Sequence, residues 1–131
     1  MKIVWVNGCF DVMHLGHVRM LKFARSLGDY LVVGINSDDS VRRLKGDGRP
    51  IFTASERREM LLSLTEIINN VIIFEEDDPV AVMKRHDPPI NIVVKGMDYV
   101  NLQIPEKDAL PDVMFHFYDS GISSRTSKLV R

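Results

Sequence analysis

The residues best suited to carry out chemistry lie in one segment near the amino terminus, residues 8–17 (GCFDVMHLGH). His14 and His17 are three positions apart at the predicted start of a helix, so both imidazoles can face one ligand. A helix start offers free N–H groups and a partial positive charge, which favour phosphate. Imidazole N–H groups can stabilise the charge that builds up during phosphoryl transfer, and Gly16 leaves room for a phosphate to approach. The segment therefore predicts a phosphate site.

The spacing of this segment leaves other interpretations open. The two histidines could be helix caps or partly buried polar side chains. Together with Cys9 and Asp11 they could bind zinc, although the chain has no second cysteine and we expect no protein-bound metal. Cys9 could be a nucleophile near a helix start, but a small side chain in a tight turn is the simpler interpretation. Asp11 is expected to hold the turn through backbone hydrogen bonds.

The pattern of apolar residues predicts the elements that must position this segment. Short apolar runs predict five strands, at Ile3–Val6, Tyr30–Ile35, Val71–Phe74, Ile90–Val94 and Val113–Phe117. Helical spacing and capping residues predict four helices. The first covers His17–Leu27, and the second runs from the cap Asn36-Ser37-Asp38 to about Leu44. The third runs from a Thr53–Glu56 capping box through Ile68, and the fourth runs from an Asp78 cap, followed by Pro79, to His86. Residues 99–111 show no regular pattern.

Apolar strands that alternate with helices are typical of a parallel sheet covered on both faces. We therefore expect a single α/β domain over residues 1–131, with a Rossmann-like, doubly wound sheet of five parallel strands and helices on both faces. In such a sheet, ligands bind at the carboxyl ends of the strands, at the switch point. The site should then be built from residues 7–17, 36–50, 95–99 and 119–125.

Composition argues against several classes of function. The 131 residues include 45% apolar and 27% charged side chains, and the net charge is −1. That balance does not draw the chain to nucleic acid or to an anionic membrane, so an anion must be bound by locally placed groups. No apolar run approaches the roughly 20 residues of a membrane span. The single cysteine, Cys9, permits no internal disulfide, and we expect a cytoplasmic protein.

The segment 8–17 meets every fixed position of the pattern G-x-F-D-x-x-H-x-G-H, and on it the chain resembles the cytidylyltransferase-like nucleotidyltransferases. Other stretches are similar to the adenylyltransferase part of ADP-heptose synthases: N-S-D at 36–38, R-L-K-G at 43–46, R-P at 49–50 and V-K-G-x-D-Y at 94–99. The similarity runs from about Ile3 to Tyr99 in one register. Near the carboxyl end, residues 121–124 (GISS) match a family run that binds phosphate, with Arg125 in place of a second hydroxyl residue.

This resemblance implies a role for each matching residue. His14 and His17 would contact the triphosphate and stabilise the pentavalent transition state, while Lys45 and Arg58 would neutralise phosphate charge. The other matching positions would bind the nucleotide: Gly8, Cys9, Phe10 and Gly16 at the phosphates, Lys95, Gly96, Asp98 and Tyr99 at the ribose and base, and Gly121, Ser123, Ser124 and Arg125 at the phosphate site of the last helix.

The implied reaction transfers AMP from ATP to a sugar 1-phosphate such as heptose 1-phosphate, with Mg²⁺ carried by the NTP phosphates. A glycerol-3-phosphate cytidylyltransferase using CTP is the alternative in the same class, and the lysine of V-K-G favours the adenylyltransferase. A non-catalytic nucleotide-binding module is the alternative of another class. The expected partners are an NTP and a phosphorylated sugar or polyol, with no nucleic acid and no membrane, and the expected assembly is a homodimer.

Replacement of either histidine tests the implied role. Because His14 and His17 lie in a polar turn and not on an apolar helix face, His14→Ala and His17→Ala should leave the chain folded. Turnover should fall by about 10²-fold or more, since loss of one donor to the developing charge has an effect of that size. Steady-state pyrophosphate release measures it, with circular dichroism to verify folding. Near-normal turnover by either folded variant would contradict the assignment.

Overall fold

Strands and helices alternate along residues 1–121, the part of the chain that this computed structural model describes. The strands are β1 (Ile3–Gly8), β2 (Tyr30–Asn36), β3 (Asn70–Phe74), β4 (Ile92–Gly96) and β5 (Met114–Tyr118). The helices are α1 (Leu15–Ser26), α2 (Asp38–Lys45), α3 (Ala54–Leu62), α4 (Val80–Arg85) and α5 (Pro105–Ala109), with a 3₁₀ turn at Met97–Tyr99. Within this range no helix has the length and apolar character needed to cross a membrane.

The five strands form one parallel sheet in the order β3-β2-β1-β4-β5. From β1 the chain builds outward through β2 and β3, then returns and adds β4 and β5 on the other side. The direction of winding therefore reverses between β1 and β4. Parallel strands leave a crevice outside their carboxyl ends at such a reversal. The predicted doubly wound α/β fold is confirmed, and the crevice lies at the ends of β1 and β4.

Helices cover both faces of the sheet, which explains why the strands are apolar along their length. Leu21 and Ala24 of α1 and Leu61 of α3 pack on one face, whereas Met83 of α4 packs on the other. Trp5 of β1 is the largest fully buried side chain on this second face.

Several predicted boundaries change because capping and tertiary contacts override the sequence pattern. The first helix begins at Leu15, since His14 and not a later residue caps it. The third helix ends at Leu62, six residues before Ile68, although its predicted Thr53–Glu56 capping box is present. Pro79, not Asp78, is the N-cap of α4, and the Asp78 carboxylate accepts the Val80 amide at 3.0 Å.

The segment 99–111, predicted to be irregular, contains part of the 3₁₀ turn and all of α5. Pro105 is the first residue of α5, and its fixed φ favours a helix start. A five-residue helix is too short to show an apolar period, so the sequence pattern could not reveal it. The last strand lies one residue later than predicted, at Met114–Tyr118.

Gly34 offers a test of how tightly the sheet is packed. A Cβ at Gly34 would lie 2.3 Å from Cζ2 and 2.5 Å from Cη2 of Trp5, which is fully buried and cannot move aside. We expect Gly34→Ala to lower the free energy of unfolding by about 1–3 kcal/mol through overpacking. Gly48→Ala is the matched control, because nothing lies within 4 Å of a Cβ there. Urea unfolding of both variants measures the difference, and equal midpoints would contradict the packing.

Candidate active site

The turn after β1 has a strained backbone at Phe10. Its φ of 49° lies in the left-handed region, which an aromatic residue rarely adopts. The Phe10 ring is buried and lies over Gly8, where an added Cβ would come 3.1 Å from Cε2 of the ring. Strain of this kind persists where the surrounding structure enforces it, and it is frequent at functional sites. The turn therefore presents the backbone of residues 8–10 in one conformation at the carboxyl end of β1.

His14 and His17 cap the first turn of α1 for each other. The Gly16 amide donates to Nδ1 of His14 at 3.0 Å, and the His14 amide donates to Nδ1 of His17 at 3.0 Å. The arrangement is a capping box in which two imidazoles replace the usual hydroxyl and carboxylate. A Cβ at Gly16 would lie 2.8 Å from Cε1 of His14. The room that glycine leaves at position 16 is thus filled by the His14 ring.

These hydrogen bonds assign the tautomer of both rings. A neutral imidazole donates from one nitrogen and accepts at the other, so acceptance at Nδ1 places the proton on Nε2. The two ring centroids are 3.9 Å apart, and the His17 ring also contacts the Phe10 ring, with centroids 5.2 Å apart. Two adjacent Nε2–H donors therefore lie on the sides of the rings that face away from the helix backbone. Capping and phosphate binding are compatible roles for the same side chains.

Burial, followed by the electrostatic effects of His14 and Lys45, lowers the pKa of His17 to about 4. The His17 ring is therefore neutral at pH 7 and donates from Nε2 without carrying a charge. Lys45 is the exposed last residue of α2. Its ammonium also acts to lower the pKa of the Cys9 thiol. The Lys45 charge thus acts on both Cys9 and His17, and its contact with phosphate stays a prediction.

Cys9 has the properties of a packed side chain. Burial raises the pKa of its thiol, and the charges of Lys45 and Arg57 offset part of that effect. Sγ lies 3.7 Å from Oδ1 of Asn36, to which the thiol donates. A thiol with a raised pKa is a weak nucleophile at neutral pH. Within residues 1–121 no three His, Cys, Asp or Glu side chains are placed to hold a metal ion.

Asp11 fastens a distant loop to the turn. Its buried carboxylate accepts the amides of Ile51 and Phe52 at 2.9 Å and pairs with Nε of Arg49 at 2.8 Å. Burial alone would raise the pKa of this carboxyl, but the hydrogen bonds from Phe52 and Ile51 and the Arg49 charge outweigh burial and lower the pKa. The expected backbone hydrogen bonds are present, but they join the loop after α2 to the turn instead of closing the turn on itself.

Lys95 and Asn7 meet where β1 and β4 end. Nζ of Lys95 lies 3.2 Å from Oδ1 of Asn7 and 3.5 Å from Oε2 of Glu106. Lys95 and Glu106 are both buried, at 7% and 3% exposure. Burial lowers the pKa of Lys95, and the Glu106 carboxylate opposes that effect. A shielded ammonium therefore lies at the switch point, with Nζ 5.4 Å from the centroid of the Tyr99 ring.

The residues after Lys95 line the same edge. The Asp98 carboxylate folds back over Gly96, and its Oδ1 would lie 2.6 Å from a Cβ at that position. Glycine is therefore required at 96 for Asp98 to keep this position. Tyr99 is 44% exposed. These residues are accessible at the end of β4, and their contacts with a ribose or base stay a prediction.

The chain beyond β5 returns to α1. Nη1 of Arg19 donates to the carbonyl of Ser120 at 3.0 Å, and Oγ of Ser120 would lie 3.0 Å from a Cβ at Gly16. Gly121 follows with a φ of 78°. The start of the predicted phosphate-binding run thus lies beside the histidines. The rest of that run, Ser123, Ser124 and Arg125, lies outside the described residues.

Arg58 is the predicted site residue that the structure does not bring to the histidines. It is exposed, and its Nε donates at 3.3 Å to the carbonyl of Val71, the second residue of β3, which is remote from the carboxyl edge. Its neighbour Arg57 is instead fully buried. Ala54, Arg57 and Leu61 are the buried residues of α3, and their spacing places them on one helical face. The phosphate contact implied for Arg58 stays a prediction without support from this arrangement.

The remaining predicted residues that the structure describes converge at the carboxyl ends of β1 and β4. Sequence reasoning placed Asn7 in the predicted 7–17 segment without giving it a role of its own, and it missed Arg57 and Glu106. Arg57 could have been found from its spacing with Ala54 and Leu61, and Asn7 from its position at the end of a buried strand. No sequence signal marked Glu106, because α5 is too short to show a buried face.

A known protein family matches most of this chain. The sequence profile of the cytidylyltransferase-like family matches residues 5–111. The bifunctional protein HldE of a Nitratiruptor species is 46% identical over 123 residues, and HldE of Helicobacter pylori is 42% identical over 123 residues. Each alignment covers 94% of this chain and 26% of the relative. The chain spans about a quarter of the length of these relatives, and the resemblance seen in the sequence is confirmed.

Solved structures share the fold. The lipopolysaccharide core biosynthesis protein from Thermoplasma volcanium superposes with a TM-score of 0.72 at 26% identity, over 91% of this chain and 99% of that one. A bifunctional NMN adenylyltransferase/ADP-ribose pyrophosphatase from Francisella tularensis superposes with a TM-score of 0.60 at 18% identity, over 90% of this chain and 37% of that one. At such low identity the second match supports the fold alone.

The lowered pKa of His17 predicts a dependence of stability on pH. An unfolded histidine binds a proton near pH 6.5, whereas folded His17 does so near pH 4, so the unfolded state holds more protons between these values. The stability that the neutral His17 ring gives to the folded state is fully present above about pH 6.5 and is lost as the pH falls through 4. We expect the free energy of unfolding to lose up to about 3 kcal/mol over that window. Urea unfolding at a series of pH values measures it.

His17→Asn is the matched control for this prediction. Its Oδ1 can still accept the His14 amide, so the helix start is retained while the titrating ring is removed. The difference in the free energy of unfolding between wild type and variant should become independent of pH above about pH 6.5. Identical pH profiles for the two proteins would contradict the buried neutral state of His17.

Proposed function

Because the chain belongs to the cytidylyltransferase-like family, we propose that it transfers AMP from ATP to the phosphate of a sugar 1-phosphate, such as heptose 1-phosphate, and releases pyrophosphate. The family match and the HldE relatives make it a nucleotidyltransferase. The identity of the nucleotide and that of the acceptor belong to the proposal.

One observation carries the proposal: the backbone sets both histidines to donate from Nε2 at the start of α1. The Nδ1 atoms of His14 and His17 are occupied by amides at 3.0 Å, so each ring has one N–H left for a ligand. The pair lies beside the crevice where a doubly wound sheet binds ligands. Two such donors side by side, with ring centroids 3.9 Å apart, suit a centre where negative charge increases during the reaction. Such a centre is the α-phosphorus of a nucleoside triphosphate.

The reaction places few covalent demands on the protein. An oxygen of the acceptor phosphate attacks the α-phosphorus, the bond from that phosphorus to the bridging oxygen breaks, and pyrophosphate leaves with the electron pair. The acceptor phosphate is already ionised near neutral pH, so no side chain has to remove a proton. Positioning and charge neutralisation carry the rate. His14 and His17 would stabilise the pentavalent centre, and the exposed Lys45 would balance charge on the triphosphate or on the acceptor.

We expect Mg²⁺ to enter as part of the substrate, bound to the phosphates of the nucleotide. Asp11 is the carboxylate nearest to the turn in sequence, but its oxygens accept the amides of Ile51 and Phe52 and pair with Arg49. It is therefore poorly placed to ligate a metal as well. Phosphate oxygens and water are the ligands that Mg²⁺ usually retains in such sites.

Support for the acceptor comes from the relatives and from position 95. The relatives at 42% and 46% identity are named bifunctional protein HldE, and the V-K-G-x-D-Y stretch resembles the adenylyltransferase part of ADP-heptose synthases. Lys95 of that stretch is buried at the switch point. We also propose that the protein acts in the cytoplasm as a homodimer. Light scattering of the purified chain would test the dimer.

A grid of substrates tests the proposal. ATP and CTP are each combined with heptose 1-phosphate, other sugar 1-phosphates and glycerol 3-phosphate, and pyrophosphate release is followed with Mg²⁺ present. We expect ATP with a sugar 1-phosphate to be turned over at least about tenfold faster than any CTP pair, since one matched hydrogen-bonded nucleobase contact discriminates by at least this much. Mass spectrometry should identify the nucleoside diphosphate sugar.

The same grid separates the alternatives. Activity with CTP and glycerol 3-phosphate, and none with ATP, would replace the proposal by a cytidylyltransferase. ATP binding without pyrophosphate release for any acceptor would favour a non-catalytic module. His17→Asn serves as the control within the active pair, because it keeps the helix cap and removes the Nε2–H donor.

A further inference from the structure

Arg57 of α3 is unusual among the charged residues of this fold, since its guanidinium is buried with 0% exposure. Arginine is almost never fully buried without partners. It is outside the set of residues to which the family resemblance gives a role. A buried cation close to the proposed phosphate site therefore calls for a physical explanation.

The guanidinium joins three segments that border the crevice. Nη1 donates at 2.8 Å to the carbonyl of Cys9 and at 2.8 Å to that of Asn36. Nε donates at 3.0 Å to the carbonyl of Phe52, and Nη2 pairs at 2.9 Å with Oδ1 of Asp38. Cys9 directly follows β1 and Asn36 ends β2. One side chain thus links the turn after β1, the junction of β2 with α2, and the loop before α3.

The carbonyl oxygens to which Arg57 donates would otherwise be unfavourable for an anionic ligand. Parallel strands end in carbonyl oxygens, and a carbonyl oxygen directed at a phosphate is repulsive. Arg57 occupies two such oxygens, those of Cys9 and Asn36, with charge-assisted hydrogen bonds. Asp38 is its ion-pair partner among residues 1–121, and that carboxylate is 40% exposed and so partly screened by water. The positive charge of Arg57 therefore remains effective behind the turn.

We propose that Arg57 is a positioning residue for nucleotidyl transfer: by holding the Cys9 carbonyl it keeps the Phe10 turn and the histidine pair in the geometry that receives the triphosphate. The inference rests on the proposed function of this turn as the triphosphate site. The strained φ of 49° at Phe10 has to be enforced from outside the turn, and the hydrogen bond from Arg57 to the adjacent Cys9 carbonyl provides such a restraint.

Cys9 supplies a readout that is independent of catalysis. It is the single cysteine of the chain, so thiol alkylation reports on this position alone. Its pKa is raised by burial and held back by the charges of Lys45 and then Arg57. Arg57→Met should therefore raise the thiol pKa further. Arg57→Lys keeps a charge, but one ammonium cannot reach four acceptors in the directions that a guanidinium does.

The experiment compares the wild-type chain with Arg57→Met, Arg57→Lys and the control Arg85→Met. Arg85 is the exposed last residue of α4, at the opposite, amino edge of the sheet, so it gives the same charge change away from the site. Four quantities are measured: the urea midpoint, the Kd for inorganic tripolyphosphate, kcat and KM for ATP with the active acceptor, and the pH dependence of Cys9 alkylation.

We expect both Arg57 variants to lose about 10–100-fold in kcat, the effect of a reacting group displaced by about 1 Å. The Cys9 pKa should rise in Arg57→Met and stay near the wild-type value in Arg57→Lys. Tripolyphosphate should bind about tenfold more weakly to Arg57→Met, a change of about 1.4 kcal/mol. Arg85→Met should match the wild type in all four quantities.

Other outcomes overturn the inference. Folded Arg57 variants with wild-type kcat and wild-type thiol titration would do so, as would a loss of kcat that disappears after correction for the folded fraction. If neither variant folds, hydrogen exchange of the wild type decides. Tripolyphosphate should then protect the turn together with the Phe52 loop, and protection confined to α1 would overturn the proposal. A wild type that binds no tripolyphosphate and releases no pyrophosphate contradicts the proposed function instead.

Discussion

The start of α1 places one demand on the chain from which the rest of the site follows. Four N–H groups at a helix start need partners, and here the imidazoles of His14 and His17 accept two amides at 3.0 Å. Each ring must then carry its proton on Nε2. The groups that stabilise the helix are therefore the same groups that a phosphate can meet, and their orientation is set before any ligand arrives. This preorganisation avoids a cost in ordering at the moment of reaction.

Buried polar contacts hold the loops around the crevice in place. Asp11 holds the loop that follows α2, Arg57 holds the turn after β1, and Asn7 accepts both the Trp5 indole N–H at 3.0 Å and the Lys95 ammonium at 3.2 Å. Each contact joins segments that are far apart in the chain, apart from the short-range bond between Trp5 and Asn7. Buried groups of this kind are costly unless satisfied, so partial loosening is disfavoured and the edge behaves as one unit.

The electrostatics of the site are local. The chain as a whole carries a net charge of −1, yet Lys45, Arg57 and Lys95 bring positive charge to one edge of the sheet. A crevice with low-dielectric walls concentrates such a field where it is needed. The His17 ring, which is neutral at pH 7, adds an N–H donor beside these cations without adding charge. The arrangement suits the polyphosphate of the proposed function.

The sequence by itself determined the strand–helix alternation, the segment 8–17 and the family, because the spacing of apolar residues and the local motifs depend only on residues that are close together in the chain. It also placed Lys45 and the 94–99 run at the correct edge, since the carboxyl ends of parallel strands coincide. Only the tertiary structure showed that Arg57, and not Arg58, is the buried arginine of α3, and only it revealed the contact of Glu106 with Lys95. Those choices depend on which side of a helix meets the sheet and on pairs of residues distant in the chain. Local spacing carries little information about either.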